Sequence, residues 1–134
     1  MIKISVRGVE KLQAFFKKLP AGARKAAVPE VSKYLIGDAS HGLKYYPVQN
    51  PNSKYKRTYA LRRGWDYKLQ GGGYGARIYN LVSYAKWVQG DGTQARKVRK
   101  SARWRTMSEI ISTNIKGAMR AAEKSVQNWI NLNS

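Results

Sequence analysis

Between about Met107 and Leu132, the residues Ile110, Ile111, Ile115, Ala118, Met119, Ala122, Val126, Trp129 and Ile130 recur mostly three or four positions apart. With 3.6 residues per turn, that spacing lines them along one side of a helix. An apolar stripe of this length must be covered, so the rest of the chain has to supply a complementary surface. Ser108 and Glu109, near the start of the stripe, suit a helix N-terminus.

The segments available to cover it alternate in type. Ile2, Ile4 and Val6 alternate with Lys3, Ser5 and Arg7, which predicts a short half-buried strand ending at Gly8. Val9, Leu12, Phe15, Phe16 and Leu19 then repeat at helical spacing, giving a helix over about Glu10 to Leu19 that Pro20 stops. A second helix is expected from Ala21 to Leu43, with Ala27, Val31, Tyr34, Leu35 and Ala39 inward and a kink or restart at Pro29. Tyr45 to Arg57 reads as a long exposed loop, because Pro47, Pro51, two Asn and a Ser crowd into it. Trp65, Tyr67 and Leu69 alternate with Asp66 and Lys68, and after Gly71-Gly72-Gly73-Tyr74-Gly75 the alternation resumes to Leu81. That pattern predicts a β-hairpin. The expected fold is α+β: an N-terminal strand and two helices, a central antiparallel sheet with a protruding hairpin, and a long C-terminal helix packed on the sheet.

At 134 residues the chain fits a single domain, 1–134. Its 26 Lys and Arg face 7 Asp and Glu, a net charge of +19 that points to an acidic or polyanionic partner. The absence of cysteine excludes disulfides and thiolate metal sites. His41 is the single histidine and suits a surface or cap role better than a triad. The carboxylates are scattered, without the close pair of a two-carboxylate hydrolase or a metal-binding cluster. The triple glycine lacks the Gly-Lys-Ser/Thr ending of a phosphate loop and reads as a mobile hairpin tip. Neither an enzyme nor a cofactor is expected, and with no apolar run of about 20 residues neither is a membrane span.

Two basic clusters stand out. Lys54, Lys56, Arg57, Arg62 and Arg63 form the first, and Arg96, Lys97, Arg99, Lys100, Arg103 and Arg105 the second, in a loop or charged helix start at 96–105. Tyr55, Tyr59 and Trp104 lie among them, a mixture able to grip phosphates and stack on bases. No helix-turn-helix, zinc-finger or RNA-recognition signature is present, so any nucleic-acid contact would be mainly electrostatic. Between the clusters, Ile78 to Thr93 is aromatic-rich and alternating, and ends in Gly90-Asp91-Gly92-Thr93. Large rigid rings beside a glycine turn suit an assembly surface, and at least one of Tyr84 and Trp87 is expected in the core.

Thr58-Tyr59-Ala60-Leu61-Arg62 and Tyr84-Ala85-Lys86-Trp87-Val88-Gln89-Gly90-Asp91-Gly92-Thr93, together with the order of elements, resemble the tail-completion or head-tail joining family of long-tailed bacteriophages. That family's pattern has a Thr-Gly-x-Leu-Arg-type segment, a hairpin, a Tyr-Ala-x-Tyr-Val-Glu-x-Gly-Thr-type segment and a closing helix. Here Tyr59 replaces the usual Gly, Gln89 the usual acid, and a basic run the Pro-Phe-x-x-Pro-Ala-like stretch. The resemblance implies a hexameric ring in the virion neck, assembled in the host cytoplasm. The ring would cap the tail tube protein and meet a head connector or head-closure protein, with genomic DNA in the lumen and no membrane. Thr58, Leu61, Trp65, Tyr74, Tyr84, Trp87, Gly92 and Thr93 are the expected subunit or ring contacts. Lys54, Lys56, Arg57, Arg62, Arg63, Arg96, Lys97, Arg99, Lys100 and Arg103 are the expected contacts to DNA or an acidic partner. The alternative is a free basic nucleic-acid-binding protein.

Overall fold

A computed structural model of the chain describes residues 10–38, 40–46, 60–91, 93–95 and 104–133. The strand expected at Ile2 to Val6, most of the 45–57 loop and most of the 96–105 segment lie outside the described residues. Within them the fold is α+β. Helices α1 (Glu10–Lys17), α2 (Ala21–Ile36) and α3 (Ala60–Arg63) precede the strands β1 (Trp65–Gln70) and β2 (Gly75–Asn80); α4 (Ala85–Gln89), α5 (Met107–Thr113) and α6 (Ile115–Leu132) follow.

Helices α2 and α6 form the spine. They run antiparallel: Gly22 at the start of α2 faces Trp129 late in α6, and Tyr34 near the end of α2 faces Gly117 early in α6. Small residues make the close approach possible. Ala23 and Ala27 on α2, and Ala118 and Ala122 on α6, are fully buried. A Cβ on Gly117 would collide with the Tyr34 phenol, and one on Gly22 would lie 2.8 Å from the Trp129 indole.

The hairpin is antiparallel, with Trp65 opposite Asn80 and Gln70 opposite Gly75. Trp65, Tyr67 and Ile78 enter the same core as α2 and α6, so the closing helix and the sheet pack around one apolar centre. Leu69 breaks the inward series at 44% exposure. Gly71, Gly72 and Gly73 all have positive φ, a conformation that costs glycine little.

Four sequence expectations change. The second helix ends at Ile36, not Leu43, because Gly37 adopts φ 74° and the chain turns back. The Leu43 and Lys44 amides then donate to the Leu35 and Ile36 carbonyls at 3.0 and 2.9 Å. Nor does the helix restart at Pro29, where the buried neighbours Ala27, Val28, Val31 and Ser32 hold one continuous element. The closing helix, in contrast, is broken at Asn114. There Thr113 Oγ1 and Asn114 Nδ2 both donate to the Ile110 carbonyl, at 2.8 and 2.7 Å, and compete with the helical bonds. Ile130, expected inward, is 46% exposed.

Candidate functional site

Past Asn80, the aromatic, glycine-ended segment is not a strand. β2 stops at Asn80, whose fully buried amide fixes the exit: Nδ2 donates to the Leu61 carbonyl at 2.8 Å, and Oδ1 accepts from the Val82 amide at 2.9 Å. Gly64 leaves room for this clip, since a Cβ there would strike the Asn80 amide oxygen. Ala85 then enters a second small core with Tyr46 and Leu61, flanked by Val82, Val88 and Trp104.

The one-turn helix α4 is too short to hold itself, and residues just beyond it satisfy its free carbonyls. Thr93 Oγ1 donates to the Lys86 carbonyl at 2.6 Å, and the Ala95 amide to that of Trp87 at 2.7 Å. Gln94 Nε2 bridges the Val88 and Trp104 carbonyls at 2.8 and 2.9 Å. Gly90 is required by proximity, because a Cβ there would run into Thr93 Oγ1 and the Lys86 carbonyl.

Asp91 completes the frame. Its carboxylate accepts from the Ser108 amide at 3.2 Å and the Ser108 hydroxyl at 2.5 Å, in the first turn of α5. A negative charge at a helix N-terminus is favourable. Thr106 and Glu109 cap the same turn reciprocally. Sequence reasoning did not assign Asp91, Gln94, Asn80 or this capping box; only the last has a sequence signal, the Thr-x-x-Glu pattern before an apolar run.

On this frame Tyr84 and Trp87 are 40% and 52% exposed, against the expectation that one of them is core. Their backbones serve the α4 turn while their rings face outward, and the Lys86 ammonium lies 5.0 Å from the Trp87 ring centre. Leu81 nearby is 70% exposed. The result is an aromatic ledge with a fixed backbone.

The other predicted contacts separate. Leu61 and Trp65 are buried, at 6% and 4% exposure, and belong to the two cores. Tyr74 is half-exposed, but its carbonyl accepts from Arg24 Nε at 2.9 Å and the Lys25 ammonium lies 5.5 Å from its ring, so the hairpin tip folds back toward α2. Arg62 turns inward, donating from Nε to the Lys44 carbonyl at 3.2 Å and covering the Tyr46 ring at 5.0 Å. Thr93, Arg63 and Arg105 are exposed. Thr58, Gly92, Lys54, Lys56, Arg57, Arg96, Lys97, Arg99, Lys100 and Arg103 lie outside the described residues.

His41 stacks on Tyr34 at 4.3 Å, and its Nδ1 lies 3.5 Å from Asp38. The Ser40 hydroxyl and amide, followed by the nearby imidazole, hold the Asp38 carboxyl below its ordinary value. This is a local turn beyond the end of α2. Among the described residues, no group of three or more His, Asp or Glu is arranged to hold a metal, and no helix is long and apolar enough to cross a membrane. No family model, curated protein or solved structure matches the chain.

Proposed function

We propose that the protein is a structural, non-catalytic component of the neck of a long-tailed bacteriophage. In this reading it forms a ring, hexameric by the resemblance, that caps the tail tube and joins it to the head connector. The aromatic ledge carries the proposal. Tyr84 and Trp87 stand exposed on a segment whose backbone is fixed by Thr93, Gln94 and Asp91. Rigid exposed aromatic anchors lose little conformational freedom on docking, which makes them effective interface residues. The same segment carries the residue resemblance to the family. Single-particle imaging of virions containing the chain tests it: a ring at the head-tail junction is expected, and absence of the chain from that junction refutes it.

A second reading, a free nucleic-acid-binding protein, draws on the exposure of Arg63 and Arg105 in a chain of net charge +19. It requires the isolated monomer to bind DNA tightly, with an affinity that falls steeply as salt rises. Negligible binding at both of two salt concentrations removes it.

A further inference from the structure

A second exposed apolar patch lies across the molecule from the ledge. The ledge is anchored by Ala85, which packs with Tyr46 and Leu61. That small core sits beside the C-terminal end of α2, where the Leu43 and Lys44 amides bond back to Leu35 and Ile36 and Arg62 reaches the Lys44 carbonyl. At the other end of α2, Gly22 packs against Trp129 of α6. A helix of 16 residues spans about 24 Å, so the ledge and the end of α6 stand well apart. In the last turn of α6, Ile130 and Leu132 are exposed on either side of half-buried Trp129, and Leu132 is the most exposed large apolar side chain among the described residues.

Charge decides what can meet these patches. Two copies of a chain with net charge +19 repel, so contact between them is confined to surfaces that bring few cations together. Ser125 to Ser134 is the longest run of the sequence without a charged side chain, and Ile78 to Ala85 also has none. No basic residue lies in the last turn of α6, which leaves the negative end of its dipole uncompensated by its own side chains. The ledge offers the opposite sign, because exposed Lys86 lies beside Trp87. Two ledges meeting would bring both Lys86 side chains into one contact, and two α6 ends would oppose like poles. Ledge on α6 end joins unlike signs. A contact between two different surfaces also repeats around a ring, whereas a self-complementary one closes at two copies.

We propose that the ledge of one copy docks on the end of α6 of the next. Tyr84 and Trp87 pack against Ile130 and Leu132, and Lys86 faces the negative end of the helix. This rests on the reading of the ledge as a subunit contact and adds the surface that the ledge meets.

The test uses the full-length chain in the condition in which it associates, alone or on tail tubes. Ile130→Gln with Leu132→Gln should weaken association by about tenfold or more, read by solution mass, with helical circular dichroism unchanged. Cross-linking locates the contact. The chain has no cysteine, so Ser83→Cys and Asn131→Cys, both at exposed positions, can be joined by a short bismaleimide. A 1:1 mixture of the two single variants should give a cross-linked dimer, and the double variant a ladder of higher multimers, while each single variant alone stays monomeric on the gel. A dimer from Ser83→Cys alone would place ledge on ledge and overturn the proposal. So would unweakened association of the α6 variant, or no dimer from the mixture while the chain is associated. A wild-type chain that never associates removes the ring reading, and this contact with it.

Discussion

The Asp91 carboxylate accepts both the amide and the hydroxyl of Ser108, at 3.2 and 2.5 Å, and so ties the Gly-Asp-Gly-Thr turn to the first turn of α5. A single side chain thereby links the aromatic ledge to the closing helical region. Asp91→Ala should cost about 1 kcal/mol in chemical denaturation, the usual scale of a lost helix cap. Adding Ser108→Ala should cost less than the sum of the two changes, because both remove one interaction. Strict additivity would show that the tie carries no energy.

Gly117 on α6 packs against the Tyr34 phenol of α2. Alanine normally favours a helix over glycine by about 1 kcal/mol. Gly117→Ala should nevertheless destabilise the chain by about 1–3 kcal/mol, because the added methyl overpacks the crossing. Tyr34→Phe in the same background should recover part of the loss. A gain in melting temperature for Gly117→Ala alone would contradict the packing described.

Gln89 is fully buried, and neither atom of its amide has a hydrogen-bond partner among the described residues. Burying such a group costs about 1–3 kcal/mol. Gln89→Met keeps the approximate shape and removes the unpaired amide, so it should raise the denaturation midpoint of the isolated chain. A lower midpoint would mean that the amide is satisfied.

Asp38 gives a pH-dependent signature. The Ser40 hydroxyl at 2.5 Å and amide at 2.7 Å hold its carboxyl below the ordinary value of 3.8. A depressed folded-state value means that its contribution to stability is present above pH 3.8 and is lost as pH falls through the folded value. Ser40→Ala removes the hydroxyl, the larger cause, and should move the Asp38 titration upward toward 3.8 in a carboxyl NMR experiment. An unchanged titration would exclude the hydroxyl as the cause.

Local periodicity made α1, the hairpin and the apolar stripe legible in the sequence, because each buries one face at a regular spacing. The features that failed were set by contacts between distant positions. Nothing within Ala85–Gln89 announces a helix: its carbonyls are satisfied by Thr93, Gln94 and Ala95, which lie beyond it. The break at Asn114 depends on two short polar side chains reaching one carbonyl, which a 3.6-residue period does not register. Tyr84 and Trp87 were assigned by general burial tendency, which does not indicate which way a fixed turn directs its rings.

Because Trp87 is half-exposed, Trp87→Ala should change the stability of the isolated chain by less than about 1 kcal/mol while removing an assembly anchor. The most direct test of the neck-ring reading is the solution mass of the full-length chain and of Trp87→Ala, each measured alone and after mixing with purified tail tubes. The wild-type chain should form a closed oligomer alone or on the tubes, and the variant should remain a folded monomer in both conditions. A wild-type chain that stays monomeric throughout would contradict the account.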